Sequence, residues 1–147
     1  MREAPARPAV HSLPVRVYYE DTDAGGVLYH ASHVRFFERG RTEFLRSAGI
    51  LQSELNAAPA AERVLFVVRR MTIDYLKPAF LDDLLSVETV VREITGTRVS
   101  MGQTLLRGDM PLATAEVLVV AIGADLRPVR VPDAIAARLS APQHGQD

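Results

Sequence analysis

Val15, Val17 and Tyr19 alternate with Arg16, Tyr18 and Glu20, and this period of two predicts a short strand. The chain then enters Asp21–Val27, a Gly/Asp-rich turn. In the stretch that follows, Val34, Phe37, Phe44, Leu45 and Ala48 fall at helical spacing, with Arg35, Glu38, Arg39, Thr42 and Arg46 on the other positions. Ser32 is a candidate N-cap. Gly49 suits the left-handed position after the helix, with Ile50 placed to touch Leu45. A long helix over about 32–48 is the strongest element in the pattern.

Residues 51–62 read as a connector with room for one helical turn. From 63 onwards the pattern changes to four segments rich in Val, Ile, Leu and Thr, at 63–76, 84–94, 97–109 and 112–126. Lys77-Pro78, Thr95-Gly96 and Gly108-Asp109 separate them. Arg127–Val131 could add an edge, and Pro132-Asp133 opens a last short helix over Ala134–Leu139. Short connections predict an antiparallel meander. One helix covers one face of such a sheet, so the expected class is α+β. The segment from 64 is apolar on both faces, Val64, Phe66 and Val68 against Leu65 and Val67. A strand of that kind is buried twice over or lies in a subunit interface, so a homo-oligomer is expected.

Length and composition narrow the picture. With 147 residues, the chain has one domain's worth of sequence. Residues 1–13, rich in Pro and Ala, read as a mobile arm, 14–139 as the domain and 140–147 as a mobile tail. The net charge of −1 lacks the basic excess of a nucleic-acid binder. With no cysteine, the chain has no disulfide, thiolate-held metal or catalytic thiol. No apolar run reaches the roughly 20 residues of a membrane span. The first residues lack the apolar stretch of a secretory signal. The cytoplasm is therefore the expected compartment.

The chemistry concentrates in Tyr18-Tyr19-Glu20-Asp21-Thr22-Asp23-Ala24-Gly25-Gly26-Val27-Leu28-Tyr29-His30. Glycines let backbone approach a ligand closely. The first-turn N–H groups of the next helix have no internal partners and favour an oxyanion. An Asp beside them can act as nucleophile or general base. On spacing alone, Asp21 and Asp23 fit equally a role in shaping the turn and capping the helix. His30 and His33 share the spacing of two ligands on one helix face, but a zinc site needs three or four ligands and only Asp23 is at hand. No G-x-S-x-G elbow is present.

This run, with F-F-E-R-G-R after it and M-T-I-D-Y-L-K-P-A-F-L-D-D later, resembles the hotdog-fold thioesterases of the 4-hydroxybenzoyl-CoA thioesterase class. Within that class it is most similar to the YbgC-type, Tol–Pal-associated acyl-CoA thioesterases. The resemblance covers about 14–139. It implies a long central helix wrapped by a curved antiparallel sheet, assembled as a homodimer or homotetramer with the site at the subunit interface. It implies hydrolysis of an acyl-CoA, or an acyl-carrier-protein thioester, to a free acid, with no cofactor beyond the CoA of the substrate. Carried over by position, Asp23 is the catalytic acid, His30 lies at the oxyanion-binding helix start, and Tyr19 matches a Tyr near the site. Tyr19 fits a packed strand aromatic equally well. Three residues after His30 the family commonly has Tyr, whereas this chain has His33. Another subgroup uses a helix Glu, which would be Glu38 here; the Asp23 motif makes it unnecessary. Arg69, Arg70 and Arg98 could meet CoA phosphates, but strand-edge charge explains them as well. Two alternatives remain: a hotdog enoyl-CoA hydratase or dehydratase, and a non-catalytic acyl-CoA or protein-binding module of the Tol–Pal system. No membrane span is implied, and peripheral contact stays open.

Overall fold

The computed structural model describes residues 10–140. Strand β1 (His11–Arg16) is followed by helix α1 (His30–Ser47), a short helix α2 (Gln52–Ala57), strands β2 (Leu65–Tyr75), β3 (Leu84–Thr95), β4 (Arg98–Arg107) and β5 (Met110–Ile122), and helix α3 (Asp133–Ser140). The five strands form one antiparallel sheet in the order β1-β3-β4-β5-β2. One long helix lies against it, an α+β layer pair.

Three expectations need correction. First, β1 starts at His11, inside the stretch read as a mobile arm, and runs His11↔Thr89 to Arg16↔Leu84. Pro14 lies within β1, which is a sheet edge, where a residue without an N–H is tolerated. Residues 1–9 of that arm lie outside the described residues, as does the tail read over 140–147 except Ser140, which ends α3. Tyr19 is not in the strand but opens a 3₁₀ turn, Tyr19–Asp21.

Second, only β3, β4 and β5 form a meander. Gly96 and Gly108 take φ of 57° and 59° in the two tight turns that join them. β2 pairs with β5 on the far edge, and residues 76–83 carry the chain back to β3. That crossing bonds to other segments: Leu76 N and Lys77 N donate to Leu112 O at 2.9 and 3.0 Å, and Val17 N donates to Asp83 O at 2.9 Å. β2 is therefore an open edge, with Val67 40% and Val68 46% exposed, and within one chain it is not buried on both faces. The edge expected at Arg127–Val131 is a single bridge, Ile122↔Pro128.

Third, α1 begins two residues before Ser32, with Tyr29 as its N-cap. Val34, expected in the core, is 43% exposed, while Phe36 is fully buried. Phe36, Phe37 and Phe44 are at most 1% exposed and carry the contact with the sheet. Gly40 allows the close approach: a Cβ there would lie 2.5 Å from Val87 Cγ1. Beneath it, buried Gln103 donates from Nε2 to Phe37 O and to Thr89 Oγ1, both at 2.9 Å. Its Oε1 accepts from Arg41 at 3.1 Å, so the buried amide is satisfied on both sides. The helix ends as expected. Gly49 has φ 79°, Gly49 N donates to Arg46 O and Ile50 N to Leu45 O, both at 2.9 Å. No helix among the described residues is long and apolar enough to cross a membrane.

Candidate active site

The two acids of Asp21-Thr22-Asp23 have separate roles. Asp21 is 4% exposed, and its Oδ2 accepts Tyr18 N at 2.8 Å. Its carbonyl accepts Tyr29 N at 2.9 Å and Ser32 Oγ at 3.0 Å. Asp21 thus shapes the turn and ties the start of α1 to it. This explains why Ser32, expected as the N-cap, sits inside the first turn: its hydroxyl is spent on an upstream carbonyl.

Asp23 is exposed in a small hairpin that the bridge Thr22↔Leu28 closes and the bridge Val27↔Phe80 ties to the 76–83 crossing. Asp23 N donates to Val27 O at 2.9 Å, and Gly26 N to Asp23 O at 3.0 Å. Asp23 Oδ1 accepts Gly25 N at 2.9 Å and Val27 N at 3.4 Å. Gly26 is required by its φ of 79°. A Cβ on Gly25 would lie 3.2 Å from Asp23 Oδ1, so a bare residue lets the carboxylate fold over the backbone. One carboxylate oxygen is held in this way. The other has no hydrogen bond among the described residues and is available to a ligand or a water.

The hairpin feeds directly into α1. Tyr29 is extended (φ −65°, ψ 136°) and its side chain makes no cap hydrogen bond. The first-turn N–H groups of His30 and Ala31 therefore receive no side-chain acceptor from the cap. His30 is exposed at the first helical position, its ring edge-to-face with Tyr29 at 4.5 Å. Tyr75, at the end of β2, donates its hydroxyl to His30 O at 2.9 Å. His33 is buried, with Nδ1 3.2 Å from Tyr29 O and its ring edge-to-face on Tyr75 at 4.7 Å. Burial lowers its pKa, and the hydrogen bond to Tyr29 opposes this only in part. His33 is buried while His30 is exposed, and no cluster of three metal-binding side chains occurs among the described residues.

The structure thus joins Asp23 and His30 through one hairpin and one helix start. It does not join Tyr19 to them: the residue is 82% exposed, and its carbonyl accepts Thr22 N at 3.1 Å and Thr22 Oγ1 at 2.7 Å. Tyr75 did not stand out in the sequence. Its one signal is alternation, since Met71, Ile73 and Tyr75 share a strand face.

One turn beyond His30 a cavity of about 340 Å³ opens between α1 and the β2 side of the sheet. Val34, Leu45, Phe66, Met71, Met101 and Val119 make its wall largely apolar. The exposure of Val34 is explained by this cavity. Arg41 and Glu38 add polar groups, and burial lowers the pKa of the Arg41 guanidinium while Glu38 opposes that.

Residues 17–139 match the model of the thioesterase-like superfamily. The chain is 48% identical over 126 residues to the acyl-CoA thioester hydrolase YbgC of Escherichia coli O6:H1, covering 84% of this chain and 91% of that protein. It is similar to the crystal structure of a probable thioesterase from Bartonella henselae, at 42% identity and a TM-score of 0.81, covering 84% of this chain and all of that one. The fold alone is shared with a 1,4-dihydroxy-2-naphthoyl-CoA thioesterase from Synechocystis, at 18% identity and a TM-score of 0.83, over 92% and 99% of the two chains.

Proposed function

Because the chain belongs to the thioesterase-like superfamily, with the hotdog fold, we propose that it hydrolyses an acyl-CoA thioester to a free carboxylic acid and CoA, with Asp23 at the centre of the reaction. One observation carries the reading. A carboxylate fixed through one oxygen stands on the hairpin that leads into a helix start whose cap offers its N–H groups no side-chain acceptor.

The thioester carbonyl would face the first turn of α1. Because Tyr29 N is already bonded to Asp21 O, the N–H groups of His30 and Ala31 would stabilise the oxyanion, favoured also by the positive end of the helix. Two routes use the same placement. In one, Asp23 attacks the carbonyl carbon, the C–S bond breaks to release CoA thiolate, and water then cleaves the mixed anhydride. In the other, Asp23 takes a proton from a water that attacks the same carbon. Both consume one water and end in acid and thiol. His30 supplies its backbone N–H, and its exposed ring is placed to orient water or the thioester. Tyr19, solvent-facing and not joined to Asp23 or His30, takes no part in either route.

The test is free-thiol release from a panel of acyl-CoAs by wild type and Asp23→Asn. Asparagine keeps an oxygen to accept Gly25 N and Val27 N, so the hairpin survives. A loss in kcat of at least about 10²-fold is expected. Full activity in Asp23→Asn overturns the role of Asp23. Loss of enoyl absorbance without thiol release would instead establish a hydratase, and saturable acyl-CoA binding with neither signal a binding module.

The open edge of β2 belongs to this reading as the surface where a second copy pairs. It is an 11-residue edge strand with valines half-exposed, a surface that natural proteins cover. Light scattering should give a mass of at least two 16.1 kDa chains. A single-chain mass at micromolar concentration would remove the pairing from the proposal.

A further inference from the structure

We propose that Tyr75 is a positioning residue for this reaction: from the end of β2 its hydroxyl fixes the first turn of α1, and so the aim of the N–H groups that receive the oxyanion. The inference rests on the thioesterase reading.

The N-terminus of α1 is not aimed by its own cap, since Tyr29 makes no side-chain cap bond. Its orientation comes from outside the helix or from its second turn. Ser32 Oγ ties it to Asp21 O, and His33 Nδ1 reaches back to Tyr29 O. The third tie alone comes from the sheet: Tyr75 Oη to His30 O, 2.9 Å, across 45 positions of sequence. The His30 carbonyl shares its planar peptide unit with the Ala31 N–H, so a bond to it acts directly on one of the proposed oxyanion donors.

The bond is not needed to satisfy that carbonyl. A helical carbonyl oxygen has two lone pairs, and the i+4 N–H takes one. The phenol is half-exposed, so its removal leaves no deeply buried orphan. What the bond adds is direction. The His33 ring, edge-to-face at 4.7 Å and 82°, braces the phenol from the helix side. His33 therefore holds both the cap residue's carbonyl and the side chain that holds the next one.

Stabilisation of an oxyanion depends on donors fixed to a fraction of an ångström, while ground-state binding of CoA does not. The expected signature is therefore a change in kcat with KM spared. In Tyr75→Phe, which keeps the ring and its contact with His33, kcat for thiol release should fall about tenfold, less than the roughly 10²-fold loss of a direct oxyanion donor. KM should stay within about twofold, and Tm within a few degrees. The pH profile of kcat should keep its shape, because a positioning group transfers no proton.

Wild-type kcat in Tyr75→Phe overturns the proposal. So does a rise in KM at unchanged kcat, which would make Tyr75 a substrate contact, or loss of one limb of the pH profile, which would make it an acid–base group. A kcat loss that tracks a large fall in Tm would assign it to stability alone. Asp23→Asn, run alongside, separates the two claims. If it keeps full activity, the Asp23-centred reading fails. If it is inactive while Tyr75→Phe matches wild type, only the role of Tyr75 fails.

Discussion

At its C-terminal end α1 closes with Gly49 in the left-handed region, two backbone bonds back to Arg46 and Leu45, and Phe44, Leu45 and Ile50 no more than 6% exposed. At its N-terminal end Tyr29 is 44% exposed, the cap makes no side-chain bond, and the first turn is held by the Ser32 hydroxyl on the Asp21 carbonyl and by the side chains of His33 and Tyr75. One end is finished by local sequence and apolar burial. The other is left open towards solvent and aimed by polar ties. Burial stabilises without leaving a polar group for chemistry, whereas an uncapped helix start keeps its donors for a ligand at a cost in stability. Placing the two on one rigid rod lets the packed end anchor the open one.

The largest expected effect falls at the packed end. Phe44 is 1% exposed and lies edge-on to His11 at 6.2 Å. Phe44→Ala should lose about 3–5 kcal/mol in urea unfolding. The kcat per folded molecule should stay near wild type, because the first turn lies at the far end of the helix. A variant with a normal unfolding midpoint but reduced kcat would break the division between the ends.

The same contrast governs what could be read from the sequence. The C-terminal end was legible because its signals are local: Gly49 and Ile50 lie beside the residues they bond. The N-terminal end was misread by two residues. Ser32 has the chemistry of an N-cap, but its hydroxyl bonds to Asp21 O, eleven positions upstream, and the helix starts where Tyr29 N meets that same carbonyl. The motif of acids, glycines and His30 was legible as a pattern, and the superfamily match bears out the family it implied. It did not separate a buried Asp21 from an exposed Asp23, since burial is a property of the folded loop. Strand order was the least accessible, as nothing within 63–76 says that this segment crosses to the far edge of the sheet. Tyr75 was hidden for the same reason, because its partner belongs to the other layer.

The smallest effect concerns two histidines, one near each end. His11 packs against Phe44 with Nδ1 unpartnered among the described residues, and burial lowers its pKa while Glu43 opposes that. His33 is lowered by burial too, but its Nδ1 bond to Tyr29 O persists when the ring is protonated. In both, the folded pKa lies below the unfolded value of about 6.5. The unfolded chain therefore binds more protons in that window, and stability rises with pH through it. The contribution is complete above about pH 6.5 and is lost as the pH falls towards the lower folded values. Urea midpoints measured at pH 7 and pH 5 should fall on acidification. His11→Phe keeps a ring against Phe44 and should flatten this dependence more than His33→Phe, because only His33 retains a hydrogen bond in its charged form. Equal slopes in wild type and the double variant would show that neither histidine carries the acid sensitivity. A larger flattening from His33→Phe would place the greater cost of protonation at the open end, where the polar ties would then be the more fragile part of the helix.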